Sequence, residues 1–140
     1  MNTHRAGPGL LAVAGAVGAA VGAIGTWAKI EDLSYTGWDA NRGKTVLIAG
    51  VIAGVLALLN LATRQRVFAL LGLIAAGVSA ALAAWTIIDI AGYVPGAPSV
   101  GRGWGIYVAT AGGVVCFVAL LALVFWRRER SAAPAAPPAQ

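Results

Sequence analysis

Few side chains in this sequence are equipped for chemistry, and their spacing narrows the choices. Asp89 is the one charged residue within the long apolar runs, near the end of the third. An ionisable group in a membrane helix costs about 2.5–3.5 kcal/mol at the bilayer centre and less near the surface. Such a residue is either held in an ion pair or works as a proton or cation relay. Asp89 shares a 3-4-3 helical face with Ser79, Leu82 and Thr86, which makes a thin polar seam. Relays usually show several intramembrane charges, so pairing is the expectation here. Arg102 is the leading partner by position, with Lys29 and Lys44 as alternatives at the same level. Asn60 is the other polar outlier, expected to bond a neighbouring backbone group or interfacial water.

The remaining reactive residues form no constellation. Cys116 is the single cysteine and sits midway through an apolar run, so it reads as a small packing residue. His4 is the single histidine, which leaves no His-based triad or metal cluster within one chain. Gly43-Lys44-Thr45 looks like the end of a phosphate-binding loop, but Trp38 stands where that loop needs its first glycine. The expectation is therefore a chain that is not an enzyme, with no catalytic, cofactor-binding or metal-ligating residues and no cofactor.

These residues are carried by four apolar blocks, at about residues 9–28, 45–62, 67–91 and 103–126. Each is near the roughly 20 residues that a helix needs to cross a bilayer. The blocks are apolar all round, whereas strands of a membrane barrel would alternate apolar and polar positions. Composition agrees: 59% of residues are hydrophobic and 11% charged. Soluble domains carry about 25% charged residues, so the apolar surplus needs an apolar solvent. The expected fold is an all-α membrane protein, a four-transmembrane-helix bundle with short loops over residues 1–130. An Ala/Pro-rich tail, residues 131–140, has nothing to bury and is expected to be disordered. The first block is longer than the 7–15 residues of a signal-peptide core and ends without a small-x-small exit, so it reads as a retained helix.

The basic residues, which give a net charge of +5, are scattered between the blocks without the stripe that nucleic acid requires. With both termini inside, the inner flanks hold Arg5, Arg64, Arg66, Arg127, Arg128 and Arg130, and the outer loops only Lys29, Arg42, Lys44 and Arg102. The positive-inside bias then places both termini in the cytoplasm and the protein in the plasma membrane. The link Thr63-Arg64-Gln65-Arg66 forces an antiparallel hairpin between the second and third helices. The first outer loop shows a weak period-2 alternation over KIEDLSYTGWD, consistent with an extended piece or hairpin. Asp39 or Asn41 is placed to cap the second helix. The second outer loop, with Pro95 and Pro98, reads as an irregular turn.

Small residues recur at helix-packing spacing: Gly15, Gly18, Gly22 and Gly25 in the first block, Gly50 and Gly54 in the second, Gly72 in the third, Gly105 and Gly113 in the fourth. Such stripes let backbones approach closely, either within the bundle or against a second copy or a partner helix. Trp27, Trp85, Trp104 and Trp126 fit interfacial belts. Tyr35 and Trp38 lie within the outer loop, where they either pack onto the helix ends or offer a contact surface.

A tryptophan at the exit of the first helix (Trp27), then an outer loop with Gly37-Trp38-Asp39, then Gly43 before a Leu/Val/Ala helix, resembles a group of small four-span membrane proteins of high-GC Gram-positive bacteria. The plan is similar to that of the tryptophan-operon-associated transmembrane proteins, over residues 9–126. That resemblance implies a four-span fold and transfers no functional residues.

The functional expectation is a non-enzymatic scaffold or accessory component in the lipid bilayer, packing as a homo-oligomer or within a larger membrane complex. Two alternatives stand beside it: a small transporter or channel using Asp89, and an envelope lipid or glycan binder using the first outer loop. The topology is testable directly. A cysteine placed at Gln65 should be protected from an impermeant reagent applied outside, and one at Ser99 should react; the reverse pattern would invert the orientation.

Overall fold

The computed structural model describes residues 3–30, 32–39, 41–92 and 101–131. Its four long helices are α1 (Thr3–Ile24), α2 (Asn41–Thr63), α3 (Arg66–Gly92) and α4 (Trp104–Ser131). Within them Gly7–Ile24, Asn41–Thr63, Arg66–Asp89 and Trp104–Phe125 are long and apolar enough to cross a bilayer. The fold is thus an all-α membrane bundle of four spans. The first span ends earlier than its apolar run, at Ile24 rather than near residue 28, because Thr26, Trp27 and Ala28 leave the helix for a strand. Of the tail 131–140 expected to be disordered, Ser131 is the last residue of α4; residues 132–140 and the Pro95/Pro98 turn, on residues 93–100, lie outside the described residues.

The helices form a ring in which α1 packs on α2 and α4, α3 packs on α2 and α4, and the diagonal pairs scarcely meet. Small side chains fill the middle. One cluster gathers Ala12, Ala16, Ala53, Ala57, Ala76, Cys116, Ala119 and Leu120. A second gathers Ala23, Trp27, Val46, Ala83, Ile106 and Ala109. The large residues face outward, including Leu11, Val21, Ile48, Val55, Leu70, Ile74 and Val118. This arrangement suits lipid, because acyl chains are as apolar as leucine and give no reason to hide it. Helix contact then depends on close van der Waals packing, which small residues permit.

That closeness is greatest between α1 and α4. A methyl group added at Gly22 would land on the backbone of Ala109, and one at Gly112 on the backbone of Ala19. At Gly15 it would stand 2.5 Å from the nitrogen of Cys116. The other stripes are looser. A methyl at Gly18 would meet the Cα of Gly112 at 3.5 Å, at Gly50 the Cβ of Ala19 at 3.4 Å, and at Gly54 the Cβ of Ala16 at 3.1 Å. Gly72 faces Leu120 and Gly113 faces Ala80. The small-residue stripes therefore serve the interior of the bundle.

The end of the bundle where α1 stops and α4 starts carries a three-stranded antiparallel sheet in the order β2-β1-β3. Its strands are β1 (Thr26–Ile30), β2 (Leu33–Thr36) and β3 (Gly101–Arg102). Ile30 pairs with Leu33, Lys29 with Ser34 and Ala28 with Tyr35, with a register shift at Trp27. Ala28 also pairs with Arg102, and Lys29 with Gly101. The alternation in KIEDLSYTGWD thus folds back on itself around Asp32 as a hairpin. A 3-10 turn (Gly37–Asp39) then leads into α2.

The opposite end is closed by the α2–α3 hairpin. Arg64 terminates α2 with φ 57°, and its N–H donates to the carbonyl of Asn60 at 2.9 Å. This left-handed terminator position usually falls to glycine, because a side chain there costs about 1–2 kcal/mol.

The packing difference between two glycines of one helix gives a clean test. Gly22→Ala forces α1 and α4 apart and should lower stability by about 1–3 kcal/mol, as overpacking does. Gly18→Ala should change it by no more than about 0.5 kcal/mol. Thermal unfolding of both variants in detergent or nanodiscs reads the contrast, and equal losses would contradict the α1–α4 contact described here.

Candidate functional site

Polar chemistry collects at the sheet end of the bundle, and the helix ends put it there. Gly25 stops α1, with its N–H shared between the carbonyls of Val21 (3.1 Å) and Gly22 (3.2 Å). The chain turns into β1 at once, and the sheet is tied down to the helices at several points. The Trp27 indole is buried and donates from Nε1 to the carbonyl of Gly22 at 2.9 Å. The Gly37 N–H donates to the carbonyl of Gly25 at 3.2 Å, and that of Gly103 to the carbonyl of Trp27 at 2.8 Å. Gly37 also packs so tightly under Ala23 and Trp27, and Gly43 against Gly37, that neither position has room for a side chain. Trp27 is consequently a core residue and not part of an interfacial belt. Trp85 and Trp104, 64% and 55% exposed, occupy the lipid-facing surface as a belt requires.

Asp89 is paired, but with none of the three cations expected. Its Oδ2 accepts from Nη1 of Arg42, and both side chains are about half exposed. The reason is helix adjacency. α3 packs along α2, so the first turn of α2 brings Arg42 to the level of Asp89. Arg102 is held elsewhere because β3 pairs with Ala28, Lys29 lies on β1, and Lys44 places its Nζ 5.8 Å from the centre of the Trp38 ring. The polar seam below Asp89 does exist. Ser79 is fully buried and donates across to the carbonyl of Val46 on α2 at 3.3 Å. The Thr86 hydroxyl donates back to the carbonyl of Leu82 at 2.8 Å. Ser79 and Asp89 therefore both fasten α3 to α2.

Asp39 closes the turn after β2 and does not cap α2. Its Oδ2 accepts from the backbone N–H of Thr36 at 2.9 Å and from the Thr36 hydroxyl at 2.8 Å. The backbone bond first, then the hydroxyl and more weakly the Lys44 charge, hold its carboxyl below the usual carboxylate range, against a small opposing desolvation. Trp38, Tyr35 and Leu33 do not fold down onto the helix ends; they are 56%, 44% and 65% exposed.

Inside the bundle, Asn60 is 2% exposed and its Oδ1 accepts no hydrogen bond from the described residues. The helices packed around it supply that oxygen with no backbone donor. Cys116 is buried and free, as a packing residue would be. Among the described residues no three His, Cys, Asp or Glu side chains come close enough to hold a metal ion. The His4 side chain lies outside the described part of α1. What the sheet end offers is ion pairing, aromatic contact and a strand edge. No protein-family model, curated protein or solved structure matches this chain.

Two outcomes follow from this geometry. In a double-mutant cycle, Asp89→Ala and Arg42→Ala should couple by about 0.2–1 kcal/mol, the range for a half-exposed pair. Asp89→Ala with Arg102→Ala should be additive, and coupling to Arg102 would overturn the assignment. For Asp39, a folded pKa below the unfolded one means its contribution is present above about pH 3.9 and is lost as pH falls through the lowered value. Tryptophan emission should therefore shift on acidification below about pH 4, and the part of that shift due to Asp39 should vanish in Asp39→Asn.

Proposed function

We propose that this chain is a non-enzymatic scaffold or accessory component of a plasma-membrane complex, with both termini in the cytoplasm. The helical bundle anchors a rigid sheet at the outer surface, and the partner, a second copy or another subunit, docks on that sheet. One observation carries the reading: the sheet is clamped to the helix ends while, among the described residues, nothing pairs with its β2 edge, where Leu33, Tyr35 and the adjoining Trp38 are exposed. An unpaired strand edge offers a row of backbone donors and acceptors to another chain. Proteins normally blunt such edges, and this one keeps apolar and aromatic side chains there.

The small-residue stripes support the same division of labour. They are consumed inside the bundle, so the partner contact falls to the sheet and to the outer helix surfaces. A transporter needs polar groups along the bundle axis. Among the described residues three polar side chains are buried: Ser79 and Thr86 donate to backbone carbonyls, and Asn60 alone leaves an oxygen unpaired, while Asp89 is held at the periphery by Arg42.

Photo-crosslinking from Tyr35 or Trp38 in intact cells, followed by mild-detergent purification, tests the proposal. The expected result is one defined adduct of fixed stoichiometry, which disappears when Leu33→Pro removes the β2 edge. Labelling of the protein's own helices alone, with a lone monomer recovered, would contradict it.

A further inference from the structure

Sheet register brings three residues into one row. Tyr35 on β2 and Arg102 on β3 are both partnered with Ala28 on the central strand. Directly paired residues in an antiparallel sheet share a face. Neighbouring strands are about 4.8 Å apart, so Tyr35 and Arg102 stand on one face about 10 Å apart, with only a methyl group between them. The face therefore carries a shallow gap floored by Ala28, with a phenol on one side and a guanidinium on the other.

Depth in the membrane indicates what fills it. Arg102 lies two residues before the start of α4, and β1 begins two residues after the end of α1. Two extended residues span about 7 Å. The polar layer on each side of a bilayer is about 5–7 Å thick, half the difference between its full thickness and its hydrocarbon core. The row thus lies among lipid headgroups and phosphates.

Charge points the same way. Of the four described cations at this end, Arg42 is engaged by Asp89, and Lys44 lies over Trp38 within reach of the Asp39 charge. Among the described residues, Lys29 and Arg102 have no acidic partner, and both are exposed. A guanidinium with no carboxylate partner among the described residues, at phosphate depth, presents the planar fork that binds two phosphate oxygens at once. The Tyr35 hydroxyl can donate to the same group or its glycerol ester. A zwitterionic headgroup brings its own cation toward Arg102; an anionic one does not.

We propose that the Tyr35–Ala28–Arg102 face binds the phosphodiester headgroup of one anionic phospholipid in the leaflet that surrounds the sheet. This rests on the reading of the sheet as a structure at the membrane surface and requires no protein partner. The lipid takes the Tyr35 side chain on one face of the sheet, and the backbone edge of β2 remains free beside it.

Native mass spectrometry of the full chain, purified in detergent and titrated with phosphatidylglycerol or phosphatidylcholine, tests the proposal. The wild type is expected to retain one phosphatidylglycerol in preference to phosphatidylcholine. Arg102→Gln should weaken that retention at least about tenfold, the effect of losing a charged hydrogen bond. Tyr35→Phe should weaken it less. Lys44→Gln removes the same charge from the same end of the bundle and should leave it unchanged. Equal retention of the two lipids, or equal losses in Arg102→Gln and Lys44→Gln, would overturn the assignment in favour of a diffuse surface charge. The measurement uses the isolated chain, so its failure would leave the crosslinking result untouched, and failure of crosslinking would leave this one untouched.

Discussion

The closest approach of two helix backbones among the described residues is between α1 and α4, and the rest of the structure depends on it. Gly15 and Gly22 on one helix and Gly112 on the other leave no room for even a methyl group. In lipid, no hydrophobic force drives two leucine-covered helices together, so contact distance decides how strongly they associate. Because α1 ends beside the start of α4, bringing these helices together also brings together the segments that leave them. β1 follows one and β3 precedes the other, and they pair across the gap. The sheet is in that sense an outgrowth of a helix–helix contact.

The same contact explains why so small a sheet can be rigid. A two-residue strand and a four-residue strand would not hold together alone in water. Here the central strand is pinned from below by the Trp27 indole and by the backbone bonds of Gly37 and Gly103. Asp39 locks the turn that returns the chain to α2, and the Arg42–Asp89 pair fixes the first turn of α2 against α3. Each tie uses a polar group at the bundle end, where water and headgroups lower the cost of charge. The interior is left to alanine, glycine and a few larger apolar side chains, with Asn60 as a conspicuous polar exception. The resulting object is a membrane bundle with a structured surface at one end, and the proposed docking role uses that surface.

Much of this could be read from the residues in order. Four apolar runs of spanning length announce four helices, and glycines at three- and four-residue spacing announce their packing faces. The period-2 stretch around Tyr35 announces a hairpin, and Asp89 at a helix end announces an ion pair. What could not be read depended on relations between distant segments. β3 is two residues long and has no alternation to betray it; it exists only because the α1–α4 contact places Gly101 and Arg102 beside Ala28. Trp27 resembles an interfacial anchor by position, yet the register shift there turns it into the core. Asp89 was assigned to Arg102 by the logic of the loop between them, whereas the packing of α3 on α2 decides its partner. Gly37 and Gly43 are six positions apart in the sequence, and nothing local shows that they meet.

The central claim is that the sheet forms because glycine lets α1 and α4 touch. Replacing Cys116 with serine and introducing Ala28→Cys together with Arg102→Cys places two thiols on directly paired residues, where Cα atoms of an antiparallel sheet lie about 4.5–5.5 Å apart, within disulfide range. Mild oxidation of the full chain in lipid nanodiscs should close this bridge readily. Adding Gly22→Leu should abolish the bridge while the four helices remain, as far-ultraviolet circular dichroism would report. A bridge that forms equally well with leucine at position 22, or fails to form with glycine there, would contradict the account.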